Sequence, residues 1–341
     1  MSLSVGVIGY GYWGPKLVRN LVASKYFTIR KLADRQATVR DKVRQEFPEI
    51  DVLDDGAALI ADPDIDAVVI ATPVETHFPL ARAALLAGKH VLVEKPMCTS
   101  IAEADELIAL AERQGRILMV DHTFLFTGAV QAIKTMVTEG SLGRICYFDS
   151  MRVNLGLFQP DVNVLWDLAP HDFSILDYIL DESPIHIEAT GYCHVNDFVP
   201  DVVYLSMHYR SPVIAHFNFS WMSPVKVRRV AIGGTERMLV WDDLSVDEKI
   251  KVYNAGIDVQ PQEDRSIIIP GYRLGDIFSP RVPGREALSG VIEHFAQVIR
   301  GETQSIMGGE QGRRVVSTLE QAQAALDSNL RRIHEMRKSE G

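Results

Sequence analysis

Cysteine is scarce in this 341-residue chain: only Cys98, Cys146 and Cys193 occur, isolated and odd in number. That pattern suits neither a disulfide framework nor a C-x-x-C metal site, and buried free thiols are expected. Long apolar runs are missing too; none reaches the ~20 residues that cross a bilayer. With no basic-then-apolar leader at the N-terminus, the expected location is a reducing cytoplasm, with no membrane partner. Positive charge is also in short supply. The net charge is −10, and the densest basic group, Lys226, Arg228 and Arg229, falls in an expected strand. Nucleic acid is therefore not an expected partner, since phosphate backbones are held by clustered Lys and Arg. Internal repeats and low-complexity segments are likewise absent.

What is present is ordinary globular composition, 47% hydrophobic and 23% charged, at a length that implies two domains. Residues 1–122 alternate short apolar runs with helical patterns. Strands are expected at Val5–Ile8, Ile29–Ala33, near Val52, Ala67–Ala71, Val91–Val93 and Ile117–Val120. Helices between them make a parallel sheet with crossover connections. Ser100 with Glu103 forms a capping-box pattern opening one of these helices. After His122 the grammar changes. A helix over 129–139, an extended stretch Ile145–Leu155 and a helix Asp167–Leu180 precede successive strands from Ile185 to Val252, which point to an antiparallel sheet. Two helices, at about 287–300 and 310–336, close the chain. The expected domains are 1–122 and 123–338, sharing a rigid cleft.

Gly9-Tyr10-Gly11-Tyr12-Trp13-Gly14 matches G-x-G-x-x-G between a strand and a helix. One glycine makes the tight turn, one lets backbone amides approach a pyrophosphate, and one packs helix against strand. The helix N-terminus supplies N–H donors for the anion, and Tyr12 and Trp13 lie beside it. Asp34 ends the second strand 20 residues after Gly14. An acid there accepts from a ribose 2′-OH and repels a 2′-phosphate, predicting NAD rather than NADP. The neighbouring Arg35 can stack on adenine or meet a phosphate. Thr72, Pro73 and His77 follow the fourth strand at the sheet's carboxyl edge and are candidate cofactor neighbours, although a histidine in a first helical turn also serves as a cap or packing group. Glu94-Lys95-Pro96 closes the fifth strand on the same edge. A lysine is rarely buried unpaired. There it can hold a substrate hydroxyl and stabilise a developing alkoxide, while Glu94 keeps the lysine charged or contacts the cofactor ribose. The pattern also admits a cis Lys95–Pro96 bond.

In Trp166-Asp167-Leu168-Ala169-Pro170-His171-Asp172, Asp167 and His171 are four apart and share a helix face. Histidine suits proton transfer near neutrality, and a nearby carboxylate orients it. Only two ligands are evident there, so no metal is expected; a helix-start acid with a packed histidine is the plainer reading. Arg152 and Asn154 lie on one face of an extended stretch and are candidates for reading substrate oxygens, as is His122; a solvated strand face is the alternative.

These three signals in this order resemble the Gfo/Idh/MocA oxidoreductases, a family that includes glucose–fructose oxidoreductase and inositol dehydrogenases. The resemblance implies an α/β chain with an N-terminal Rossmann domain, a doubly wound parallel sheet, and a C-terminal α+β domain with a large, mostly antiparallel open sheet. It implies NAD-dependent oxidation or reduction of a sugar or polyol hydroxyl, and a homodimer or homotetramer formed through the open sheet face. The family's lysine, aspartate and histidine map onto Lys95, Asp167 and His171. His171 would take the hydroxyl proton, with Lys95 on the same oxygen, or Lys95 itself would be the base. Asp121-His122-Thr123-Phe124-Leu125-Phe126 departs from the arginine-bearing version of simple sugar dehydrogenases. With Arg152-Val153-Asn154-Leu155-Gly156 it is similar to members found with surface-polysaccharide pathways, which implies a nucleotide-linked sugar. An NAD-assisted glycosidase and a non-catalytic NAD-binding regulator are the alternatives of the same fold.

Overall fold

The computed structural model describes residues 2–156, 158, 162–259 and 270–339. Strands β1 (Leu3–Ile8), β2 (Phe27–Ala33), β3 (Asp51–Leu53), β4 (Ala67–Ile70), β5 (His90–Glu94) and β6 (Leu118–Asp121) form one sheet in the order β3-β2-β1-β4-β5-β6. Every pairing is parallel. β4 and β6 are buried at every position, as a strand covered on both faces must be. The crossover helices are α1 (Gly14–Ala23), α2 (Ala37–Glu46), α3 (Gly56–Ile60), α4 (His77–Leu86) and α5 (Ile101–Gln114). The short α3 is opened by Asp55, whose side chain accepts from Ala57 N. The capping pattern on α5 is half reciprocal. Ser100 Oγ accepts from Glu103 N at 3.2 Å, but the Glu103 carboxylate reaches one residue further back, to Thr99 N at 2.9 Å. Gly115, at φ 60°, ends the helix in the left-handed region.

The second part begins with α6 (Gly128–Thr138), β7 (Ile145–Leu155) and α7 (Val164–Leu180). Then come β8 (His186–Tyr192), β9 (Val202–His208), β10 (Ile214–Ser220), β11 (Met222–Gly234), β12 (Met238–Asp242) and β13 (Ile250–Tyr253). β14 (Gly256–Val259) and β15 (Pro270–Arg273) pair with each other, and β16 (Ile277–Phe278) joins the edge of the large sheet, whose order is β16-β13-β12-β11-β7-β10-β9-β8. All its pairs are antiparallel except β7 with β10. α7 packs on one face, where Phe173 meets Phe217 and Phe219 edge-on.

α8 (Ala287–Ile299) and α9 (Gly309–Ser339) close the chain. The chain divides into two compact units: residues up to 127 together with 285–317, and 128–284 together with 318 onward. Segment 285–317 therefore sits with the first unit, whereas the sequence reading had placed it, with everything after residue 122, in the second. Side-chain chemistry explains the return. Phe295 of α8 stacks on Phe27 of β2 at 5.7 Å, Glu293 accepts from the Tyr26 hydroxyl, and Glu286 receives Arg19 and Asn20 from α1. Beyond α8, Val120 N donates to Met307 O, so this segment also closes the outer edge of β6.

Candidate active site

In the first unit the glycine turn leaves β1 with three distinct requirements. Gly9 has φ 95°, and a Cβ there would lie 2.6 Å from Ala71 O. A Cβ on Gly14 would lie 2.6 Å from Gly9 O, so the helix start can close on the turn only without a side chain. Within 4 Å of a Cβ on Gly11 there is no atom of the described residues beyond its chain neighbours. That open space suits a backbone that meets a ligand. α1 has Pro15 in its first turn and no side-chain cap; Lys16 N and Leu17 N turn back to Trp13 O, and the helix N-terminus still favours an anion through its dipole. Tyr12 is largely exposed, edge-on to Trp13, with the Lys16 ammonium 4.0 and 3.8 Å from the two ring centroids.

Asp34, at the end of β2, is half-buried. Its Oδ2 accepts from Tyr10 N and its Oδ1 from Gln36 N, both at 2.8 Å. Each carboxylate oxygen keeps a further acceptor site, so the side chain can brace the glycine turn and still take a ribose hydroxyl. Arg35 is exposed beside it. These residues together fit a dinucleotide.

After β4, the Thr72 hydroxyl accepts from Thr76 at 2.6 Å, and Pro73 leads into the short 3-10 turn Val74–Thr76. His77 is fully buried, with Nε2 2.8 Å from Thr72 O and Nδ1 2.8 Å from Pro96 O. It is therefore a clasp between the segments leaving β4 and β5, not a surface group open to the cofactor. Burial holds its ring below the usual histidine range, against those two hydrogen bonds.

Glu94 ends β5 directly opposite Asp121, the last residue of β6. Both are buried, side by side at the ends of paired strands. Burial raises Glu94 well above the carboxylate range, helped by the charge of Asp121, and burial lifts Asp121 to about 6. Lys95 follows, half-buried, and its bond to Pro96 is cis. His122 is fully buried, its two ring nitrogens have no hydrogen-bond partner among the described residues, and burial takes it down to about 3.

In the second unit, α7 carries the acid and the histidine. Asn163 caps it by accepting from Trp166 N, and Asp167 sits in the first turn, where a negative charge favours the helix dipole. Asp167 Oδ2 accepts from the indole N–H of the buried Trp221 at 3.1 Å. His171 stands one turn on, on the same helix face, directly after Pro170, which cannot donate to the Trp166 carbonyl. Arg152 is buried, clasping Asp172, whose Oδ1 also accepts from the Ser150 hydroxyl at 2.9 Å. The carboxylate that Arg152 meets is thus the protein's own, which places it as an anchor between β7 and α7. Asn154 turns to the backbone, donating to Leu155 O.

Residues 3–122 match the family model described as an oxidoreductase family with an NAD-binding Rossmann fold, and residues 130–240 match the GFO/IDH/MocA C-terminal domain. The chain belongs to the Gfo/Idh/MocA oxidoreductase family. It is 29% identical to UDP-N-acetylglucosamine 3-dehydrogenase of Acidithiobacillus ferrooxidans, over 97% of this chain and 100% of that protein. It is 38% identical to the oxidoreductase YdgJ of Escherichia coli over 50% of this chain, a match that spans about half, 51%, of that protein. A solved structure of the Acidithiobacillus ferrooxidans enzyme GnnA aligns with a TM-score of 0.82 at 26% identity, covering 97% of this chain and 99% of that one.

For a Gfo/Idh/MocA oxidoreductase, the sequence reading missed two neighbours of its candidate residues. Trp221 gives no signal because a buried aromatic in a strand reads as core, although the need of an indole N–H for an acceptor is a standing hint. Asp121 was passed over as part of a divergent segment. An acid ending an all-apolar strand beside the strand that carries Glu94 was the available clue. Among the described residues no group of three or more His, Cys, Asp or Glu is arranged to hold a metal, and no helix is long and apolar enough to cross a membrane.

Proposed function

We propose that this chain is an NAD-dependent dehydrogenase that oxidises a hydroxyl of a sugar, with a nucleotide-linked sugar as its substrate class. The observation that carries the reading is Lys95, which leaves β5 at the same carboxyl edge as the glycine turn and beside the buried Glu94 and Asp121. Ligands of open α/β sheets bind at that edge. The substrate class is supported by the relative matched over its whole length, which acts on UDP-N-acetylglucosamine by its name.

Bound NAD would supply the hydride acceptor; the rest falls to the protein. Asp34 takes the ribose hydroxyls and disfavours a 2′-phosphate, which selects NAD over NADP. Lys95 donates to the substrate oxygen and stabilises negative charge there as the proton leaves. In the second unit His171 is the group suited to accept a proton, with Asp167, held by the Trp221 indole, one turn before it on the same helix face. Tyr204, Met151 and Ile214, exposed on one face of the open sheet, suit a second copy of the chain, and the free thiols suit the cytoplasm.

The test is a panel of free sugars, polyols, and UDP- and dTDP-linked sugars with NAD and with NADP, read at the reduced-nicotinamide band. Turnover with NAD on a nucleotide-linked sugar is expected. Sugar release without NADH would support a glycosidase instead, and tight NAD binding with no turnover on any member would support a regulator.

A further inference from the structure

Glu94 and Asp121 end neighbouring parallel strands and face each other across the sheet. Glu94 Oε2 accepts from Lys95 N at 3.2 Å, and Asp121 Oδ1 accepts from the Thr123 hydroxyl. The other oxygen of each, Glu94 Oε1 and Asp121 Oδ2, is buried with no donor among the described residues. Two buried carboxylates side by side on neighbouring strands repel strongly if both are ionised. One proton between them supplies the missing donor and removes one charge.

We propose that Asp121 is a positioning residue acting through Glu94: the two carboxyls hold one proton between them and present a single negative charge to Lys95. This rests on the role given to Lys95 above, but the pair itself does not depend on that role. The other groups that feel this site are His122 and His77, both buried and both disfavoured as cations by burial and by the Lys95 charge. They leave Lys95 as the cation that the pair balances. A carboxyl pair of this kind titrates as a unit, so its charge stays at one over the range between its two proton steps.

The pair makes a specific, non-additive prediction. Glu94→Gln alone leaves Asp121 as the anion, and Asp121→Asn alone leaves Glu94 as the anion. At one fixed pH, modification of Lys95 by an amine-selective reagent, quantified by peptide mass spectrometry without turnover, should proceed at nearly the wild-type rate in each single variant. Glu94→Gln/Asp121→Asn removes the charge altogether and should raise that rate. Infrared difference spectra of the unaltered protein over pH should show a protonated-carboxyl stretch at neutral pH that disappears in each single variant. Absence of that band from the wild type would overturn the proposal. So would single variants that each raise the Lys95 modification rate by half the change of the double variant. Inactivity on every sugar would defeat the dehydrogenase reading while leaving both measurements interpretable.

Discussion

His77 Nδ1 lies 2.8 Å from the carbonyl oxygen of Pro96, the residue after the candidate catalytic lysine. Through its other nitrogen the same ring reaches Thr72 O. Replacing it with alanine removes the single N–H that the neutral ring donates to one of these carbonyls, and a buried group left unsatisfied costs about 1–3 kcal/mol. His77→Ala should lower the urea midpoint. In catalysis it should reduce kcat more than it raises the KM for NAD, because the Lys95 turn loosens.

The same histidine sets a pH signature. Its folded pKa is depressed by burial, while an unfolded histidine titrates near ~6.5. Its contribution is therefore complete above that value and is lost as pH falls toward the folded pKa. The slope is at most about 1.4 kcal/mol per pH unit for one proton. Urea midpoints from pH 8 to pH 5 should fall less steeply for His77→Asn than for the wild type; parallel curves would remove His77 from that limb.

Gly11 and Gly14 separate binding from folding. Gly11→Ala meets no atom of the described residues beyond its chain neighbours, so thermal stability should stay near wild type while NAD affinity drops at least tenfold, by calorimetry. Gly14→Ala drives a Cβ against Gly9 O, so both stability and affinity should fall. Equal NAD affinity in Gly11→Ala would mean that the open space is not where the dinucleotide lies.

Arg152 and Asp172 make a buried pair, and removing one partner of such a pair typically costs about 3–5 kcal/mol. Arg152→Met should show that loss in denaturant, and Arg152→Met/Asp172→Leu should recover part of it. A substrate contact would behave otherwise, with KM raised and the midpoint unmoved.

Much of the architecture was legible in the chain itself. Fully apolar runs such as Ala67–Ile70, and the glycines spaced around Tyr10 and Trp13, leave few alternatives to a parallel sheet with a dinucleotide turn. Partnership between distant segments was less legible. The apolar stripe of α8 says that it is buried, but not that Phe295 will meet Phe27 in the first unit. Strand alternation likewise could not reveal that β10 runs parallel to β7, because both orientations present the same side chains to the same face. Among the candidate site residues, Lys95, Asp167 and His171 stand out by residue type and spacing. The partners of Arg152 and His77 did not, because a charge or an imidazole reads the same in sequence whether it meets solvent, a ligand or a buried group of its own protein.

The proposed role puts Lys95 on the oxygen being oxidised rather than on the cofactor. Its most direct test is the rate of NADH formation on a UDP-linked sugar by wild type and Lys95→Met, with NAD affinity measured in parallel. A loss of a hundredfold or more in kcat with NAD affinity within about threefold is expected, in keeping with removal of one group that stabilises developing charge. Near-wild-type turnover in Lys95→Met, or a loss traced wholly to NAD binding, would contradict it.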